Sequence, residues 1–197
     1  VWQLQQHVSY CLFGSKKHLM NELFEKKNLP FYKFGDAIYL AKIETKYWIE
    51  YICKRFENTG KHISPELAEE ICRLVDNHSS YVQQLSWLLW IRTINTATTE
   101  QLSYALEDLL DQNNILFQSE TENLSAYQMN FLKAIVDGIH TKFSSKEVIS
   151  KYNLGTSANI VRLKNALLQK ELIETNGKEI VLADPVFEVW FKKEMLY

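Results

Sequence analysis

Glycine and proline are scarce, six and three in 197 residues. With so few breakers between long periodic stretches, the chain is expected to be mostly helical with little sheet. Cysteine is scarce too. Cys11, Cys53 and Cys72 are odd in number, widely spaced and form no C-x-x-C, which excludes a disulfide framework and a zinc ribbon and suits a reducing cytoplasm. No charge of one sign dominates: the net charge is -2 with 23% charged residues, so neither a basic nucleic-acid coat nor an acidic solvating tail fits. Long apolar runs are missing as well. Trp87 to Ile91 is five residues, against the roughly 20 of a membrane-spanning helix. The opening Val1-Trp2-Gln3 shows no initiator Met, charged leader or cleavage site, which suggests a piece of a longer chain.

What is present is apolar content. With 46% apolar and 13% aromatic residues the chain can bury a substantial core, and disorder is excluded. The first 43 residues read differently from the rest. His7 to Phe13 is β-rich and ends at Gly14-Ser15, a helix-compatible stretch runs from Lys16 to Lys26, and Ala37 to Leu40 reads as a second short strand. Strand, loop, helix, strand is the end of an α/β sheet whose other members are missing.

From Glu44 onward the period is helical. Trp48, Ile49, Ile52, Cys53 and Phe56 share one face and Gly60 closes it. Ser64-Pro65-Glu66 opens a second helix through Leu67, Ile71, Leu74 and Val75. A third, from about Ser79 to Ile94, is apolar almost all round and is expected in the middle of a bundle. Thr98 with Gln101 forms a capping box for a fourth, with Leu102, Ala105, Leu106 and Leu109 on one face. Asp111 to Glu122 is polar apart from Ile115, Leu116 and Phe117 and reads as a linker.

Beyond it, Ser125 with Gln128 caps a helix ending at Gly138, and Ser144 with Glu147 caps a short one. Thr156 opens a longer helix, and Asn176-Gly177 is a type I′ hairpin signal between Leu172–Thr175 and Glu179–Ala183. Asp184-Pro185 starts a terminal amphipathic helix. Three helices followed by a β-hairpin are the winged helix-turn-helix order. The expected division is 1–43, 44–115 and 124–197.

No chemistry-bearing motif is complete. The P-loop pattern G-x-x-x-x-G-K-[ST] is absent: Gly60-Lys61 has Arg55 where the first glycine belongs, and Gly177-Lys178 lies in the wing. G-x-S-x-G, H-E-x-x-H and paired-histidine metal spacings are missing too. His7 and Cys11, four apart, would lie about 13 Å apart on a strand, too far for one metal. No self-contained catalytic centre or metal site is assigned. With Ile160, Leu163 and Leu167 inward, the helix after Thr156 presents Arg162, Asn165, Ala166 and Gln169 outward. Arginine can pair with guanine and Asn or Gln with adenine. Residues 125–197 hold ten Lys/Arg and eight Asp/Glu, a net of +2, thin support where phosphate neutralisation supplies most non-specific affinity. Packing or regulation is favoured over DNA reading.

The run HVSYCLFGSKKHLMNELFEKKNLPFYKF resembles the stretch around sensor 1 of bacterial and archaeal AAA+/STAND-type P-loop ATPases. IYLAKIETKYWIEYI is similar to that family's exit into its helical lid, DNHSSYVQQLSWLLW to a lid helix, and LSAYQMNFLKAI with DPVFEVWFKK to its closing winged helix. Together these span nearly the whole chain in family order. Ser79 stands where the family usually has proline, and no arginine opens the third lid helix.

The resemblance implies a C-terminal fragment: the remnant of an α/β P-loop core, a helical lid and a winged helix. Walker A and Walker B would lie upstream, in a missing N-terminal P-loop core that is this chain's first partner. ATP and Mg²⁺ are then expected for the intact protein and neither for the fragment, which would be inactive alone. Ser15 would be the sensor 1 polar residue near the γ-phosphate or its attacking water, unless it merely caps the helix after it; His78 would be the lid residue nearest the phosphates, unless it merely caps the next helix. A protein partner or self-association is open. The alternative is a non-enzymatic winged-helix DNA-binding regulator reading sequence through Arg162, Asn165 and Gln169.

Overall fold

A computed structural model of the chain describes residues 5, 7–14, 20, 23–24, 26–29, 31–32 and 35–195. It divides into two units, Val1–Ala41 and Lys42–Tyr197.

In the first unit the expected strands do not form. Residues 8–14 and 36–41 have no regular structure, although His7–Phe13 and Ala37–Leu40 carry strand-like residues. A strand exists through the ladder that satisfies its N–H and C=O groups, and its residue types supply only the preference. Phe13, Ile38 and Leu40 are accordingly 92%, 84% and 86% exposed. Most of the helix expected from Lys16 lies outside the described residues, as does Ser15.

The second unit is helical, with eight helices and one hairpin among its described residues. Helix α1 (Thr45–Glu57) buries Trp48, Ile52 and Phe56, and α2 (Pro65–Leu74) buries Leu67, Ala68, Ile71 and Cys72 against it. Ser64 caps α2 by accepting from the Leu67 N–H, and Pro65 occupies the first helical position, where its missing N–H costs nothing. Helix α3 (Ser79–Arg92) packs mainly on α4 (Thr99–Glu122). The segments before α2 and before α4 are joined by a short bridge: His62 N–H donates to the Asn95 carbonyl at 2.7 Å and Ala97 N–H to the His62 carbonyl at 2.8 Å.

Two expectations for this bundle need correction. Helix α3 is not enclosed all round: Val82, Leu85, Leu88 and Leu89 are buried, but Trp87 and Ile91 are 56% and 51% exposed. A bundle helix touches neighbours along a stripe, which leaves part of its circumference outside. The expected linker at 111–122 is the second half of α4, a single 24-residue helix opened by the Thr98–Gln101 capping box. Leu110, Phe117 and Thr121 are buried along one face with Asn114 between them, an i, i+4, i+7, i+11 stripe in which two of four positions are polar. Ile115 and Leu116, which looked like its apolar content, are exposed.

The remaining elements form a winged helix. Helix α5 (Ala126–Val136) is opened by the Ser125–Gln128 capping box. The short α6 (Lys146–Lys151) is capped by Ser145 accepting from Val148 N–H, one residue later than the expected Ser144–Glu147 box. Helix α7 (Ser157–Gln169) follows, then strands β1 (Ile173–Asn176) and β2 (Glu179–Leu182) and helix α8 (Pro185–Met195). In the antiparallel register Asn176 faces Glu179, so the two loop residues are Gly177 and Lys178. Gly177 has φ +61° while Lys178 does not take positive φ. The turn is therefore of the II′ kind with glycine first, one residue along from the expected type I′ turn.

The winged helix is tied to α4 through α8. Phe117 meets Phe187 edge-on at 5.3 Å and Trp190 at 5.6 Å, and Trp190 Nε1–H donates to Asn114 Oδ1 at 2.8 Å. All three aromatic rings are almost fully buried. Helix α4 thus serves the bundle with its first half and the winged helix with its second. Among the described residues no helix is long and apolar enough to cross a membrane.

Candidate functional site

The start of α3 is built by an unusual turn. After α2 ends, Asp76 and Asn77 both take left-handed backbone, φ 46° and 53°, a conformation that Asp and Asn tolerate better than most side chains. Asn77 Nδ2 donates to Thr45 Oγ1 at 3.0 Å and Lys42 pairs with Asp76 at 2.5 Å, so the turn is held against the entry to α1. This reversal delivers His78 to the N-cap position of α3.

His78 is exposed and its side chain makes no capping hydrogen bond. Of the two roles open to it in the sequence, capping is not what the imidazole does. It lies against the Tyr81 ring instead, centroids 4.7 Å apart and planes tilted by 39°. The first-turn N–H groups of α3 therefore lack a side-chain cap, and the positive end of the helix is left to other acceptors.

One turn into α3 the environment changes. The Tyr81 hydroxyl donates to Asp184 Oδ2 at 2.6 Å. Asp184 Oδ1 meanwhile accepts from the N–H groups of Val186 at 2.8 Å and Phe187 at 3.0 Å, capping α8. Burial, then the hydrogen bond and charge of Asp184, push the Tyr81 phenol far up. Glu120 on α4 is pushed up by burial first and by the negative Asp184 second. The sequence reading missed Tyr81 and Glu120 altogether. Asp184-Pro185 was legible as a helix start, but nothing local shows that the carboxylate's second oxygen is used 103 residues away.

Beside the turn lies an open groove of about 470 Å³ lined by Thr45, Glu66, Glu69, Glu70, Cys72, Arg73, Asp76 and Asn77. Its one guanidinium is engaged by Glu70 at 2.5 Å. Four carboxylates against one committed arginine make the groove unsuited to an anion. Among the described residues no three His, Cys, Asp or Glu side chains converge as metal ligands.

The other candidate surface is the outer face of α7. Ile160, Leu163 and Leu167 are buried and Arg162, Asn165 and Gln169 are exposed, which brings the three polar side chains to one face; Ala166 is half-buried. Val161, 62% exposed, adjoins them. The wing beside this helix carries exposed Glu174, Lys178 and Glu179, a mixed set that offers a phosphate backbone no net attraction. Ser15, the remaining candidate, lies outside the described residues.

Residues 115–193 match a family model described as "Probable winged helix domain". The match begins inside α4, just before the Phe117 that packs on α8. No curated protein matches the sequence. Among solved structures, the Walker-type ATPase PABY2304 of Pyrococcus abyssi superposes with a TM-score of 0.64 at 18% identity. The match covers 88% of this chain and 50% of that one, so the chain spans about half the length of that ATPase. What the two share at this identity is the fold alone, over part of that Walker-type ATPase.

Proposed function

We propose that this chain is the C-terminal part of an ATP-binding P-loop ATPase of the AAA+/STAND type, working in the cytoplasm. Its bundle would be the helical lid, and lid and winged helix together would act as a nucleotide-coupled switch or interaction module. The observation that carries this reading is the fold shared over 88% of the chain with a Walker-type ATPase. On this reading an N-terminal P-loop core supplies the phosphate cradle and the Mg²⁺ ligands, and this chain contributes Ser15 near the γ-phosphate and His78 from the lid.

The residues at the start of α3 suit that task. His78 is exposed and uncommitted to capping, beside first-turn N–H groups that can meet phosphate oxygens. The acid-lined groove does not suit it, and the sequence has no phosphate-binding loop of its own. The 197-residue chain should therefore show no ATP turnover; phosphate release clearly above a Ser15→Ala control would contradict this. In the intact protein His78→Ala should weaken nucleotide retention by about 0.5–3 kcal/mol, the span from a neutral to a charge-assisted hydrogen bond, and leave circular dichroism unchanged. Unaltered nucleotide affinity would remove His78 from the site.

A second reading is favoured by one observation, the joint exposure of Arg162, Asn165 and Gln169 on α7. It makes the chain a DNA-binding regulator. Nanomolar duplex binding with a steep salt slope, lost in Arg162→Ala, would establish it. The mixed charge of the wing, with no basic excess, favours a protein partner or self-association for this face instead.

A further inference from the structure

Four groups from two distant parts of the sequence, 78–81 and 184–187, form one contact chain. The His78 imidazole lies on the Tyr81 ring, the Tyr81 hydroxyl donates to Asp184, and Asp184 holds the first-turn amides of α8. At one end is an exposed side chain at the uncapped start of α3. At the other is the helix whose Phe187 and Trp190 bind the winged helix to α4. The Tyr81–Asp184 bond is a direct polar tie between the bundle and α8, and the carboxylate shares its partly buried surroundings with Glu120.

We propose that Tyr81 is a positioning residue that couples the start of α3 to the winged helix, its hydroxyl on Asp184 keeping the α8 cap in place. The physical argument turns on the acceptor. Asp184 is a partly buried anion near a second carboxyl, and its Oδ2 is satisfied by the phenol. Without that donor nothing fixes the rotation of the carboxylate through Oδ2, which is left to compete for water, and Oδ1 is held less firmly on the Val186 and Phe187 amides. A ligand that draws His78 away from the Tyr81 ring removes the ring's packing on that face and shifts the hydroxyl. That the ligand is a nucleotide phosphate rests on the function proposed above; the coupling itself does not.

The test is amide hydrogen exchange of the full chain, wild type against Tyr81→Phe, which keeps the ring and deletes one oxygen. Amides 186–188 should exchange at least about fivefold faster in the variant, as expected for loss of a hydrogen bond to a charged acceptor, while hairpin amides 174–181 keep their rates. Asp184→Asn retains an oxygen that can cap α8; combined with Tyr81→Phe it should add less than the sum of the two. Unchanged rates at 186–188, equal acceleration throughout the hairpin, or strict additivity would each overturn the proposal. In the intact protein, ADP with Mg²⁺ should alter exchange at 186–188 in the wild type and not in Tyr81→Phe. An equal response in both would overturn the coupling. A nucleotide that changes neither, while Tyr81→Phe still accelerates these amides, keeps the coupling and removes the nucleotide reading of His78.

Discussion

His7–Phe13 and Ala37–Leu40, expected as strands, and Asp111–Glu122, expected as a linker, depart from expectation in opposite directions, and the contrast shows what makes an element. The first two stretches have strand-forming residues and no strand; Phe13, Ile38 and Leu40 stand in solvent. The third has a linker's polarity and is continuous helix packed on α8, holding Phe117 at 1% exposure. An element is fixed by what its groups pair with. Strand character without a ladder leaves backbone groups to water. A single aromatic anchor with two polar residues on the same helical face is enough when an opposing helix offers Phe187 and Trp190 to pack on and an indole N–H for Asn114 to accept.

The sharpest way to break this comparison is to truncate one phenylalanine in each region. Phe117→Ala should cost about 3–5 kcal/mol in urea unfolding, as for other fully buried aromatics, whereas Phe13→Ala should stay within about 0.5 kcal/mol. Similar costs for the two would mean that Phe13 is covered in solution.

The cysteines draw the same line chemically. Cys11 is exposed, while Cys72 is buried and its thiol is pushed up to about 11 from 9.0 by burial. Below pH 9 that alone leaves Cys72 with about a hundredfold less thiolate, and burial slows access further. Alkylation followed by mass spectrometry should label Cys11 first and Cys72 only after unfolding; early labelling of Cys72 would show that the α1–α2 pair opens.

Caps supply a smaller contrast. Ser125→Ala removes a hydroxyl that accepts from Gln128 N–H and should cost about 1 kcal/mol. Thr156, the N-cap of α7, makes no side-chain cap bond, so Thr156→Ala should cost only a few tenths of that by the same assay. Equal losses would contradict the assignment of these caps.

The smallest effect concerns Glu120. Burial and Asp184 raise its carboxyl above 4.5 in the folded state, so in that window the folded protein binds a proton that the unfolded chain has released. Its contribution to stability is thus largest at low pH and is lost as pH rises through the folded value. Glu120→Gln should raise the melting temperature at neutral pH, and the gain should shrink as pH falls to 4.5. A gain independent of pH would assign it to packing instead.

Much of the fold was legible because its signals are local. The Thr98–Gln101 and Ser125–Gln128 boxes, the Ser64-Pro65 start and the hairpin around Gly177 each depend on residues a few positions apart. So did the outer face of α7, where Arg162, Asn165 and Gln169 are exposed as the helical period requires. The one-residue shifts, Ser145 for Ser144 and Gly177-Lys178 for Asn176-Gly177, arise because neighbouring residues offer equivalent chemistry and tertiary register chooses between them. The site around α3 was only half legible. His78 could be placed at a helix start, and its contact with Tyr81 is at local i, i+3 spacing, but the bond from Tyr81 to Asp184 joins residues 103 apart, too far for any local pattern to announce.

Helix α4, which serves the bundle with its first half and the winged helix with its second, runs through residues 111–122 without a break. Hydrogen exchange along α4 in the native chain tests this directly. Interior amides on both sides of Leu110 should share protection close to the global stability, with fraying confined to the ends. Fast exchange from 111 to 122, with protection kept in 102–110 and in α8, would restore the linker and contradict the coupling of the two halves.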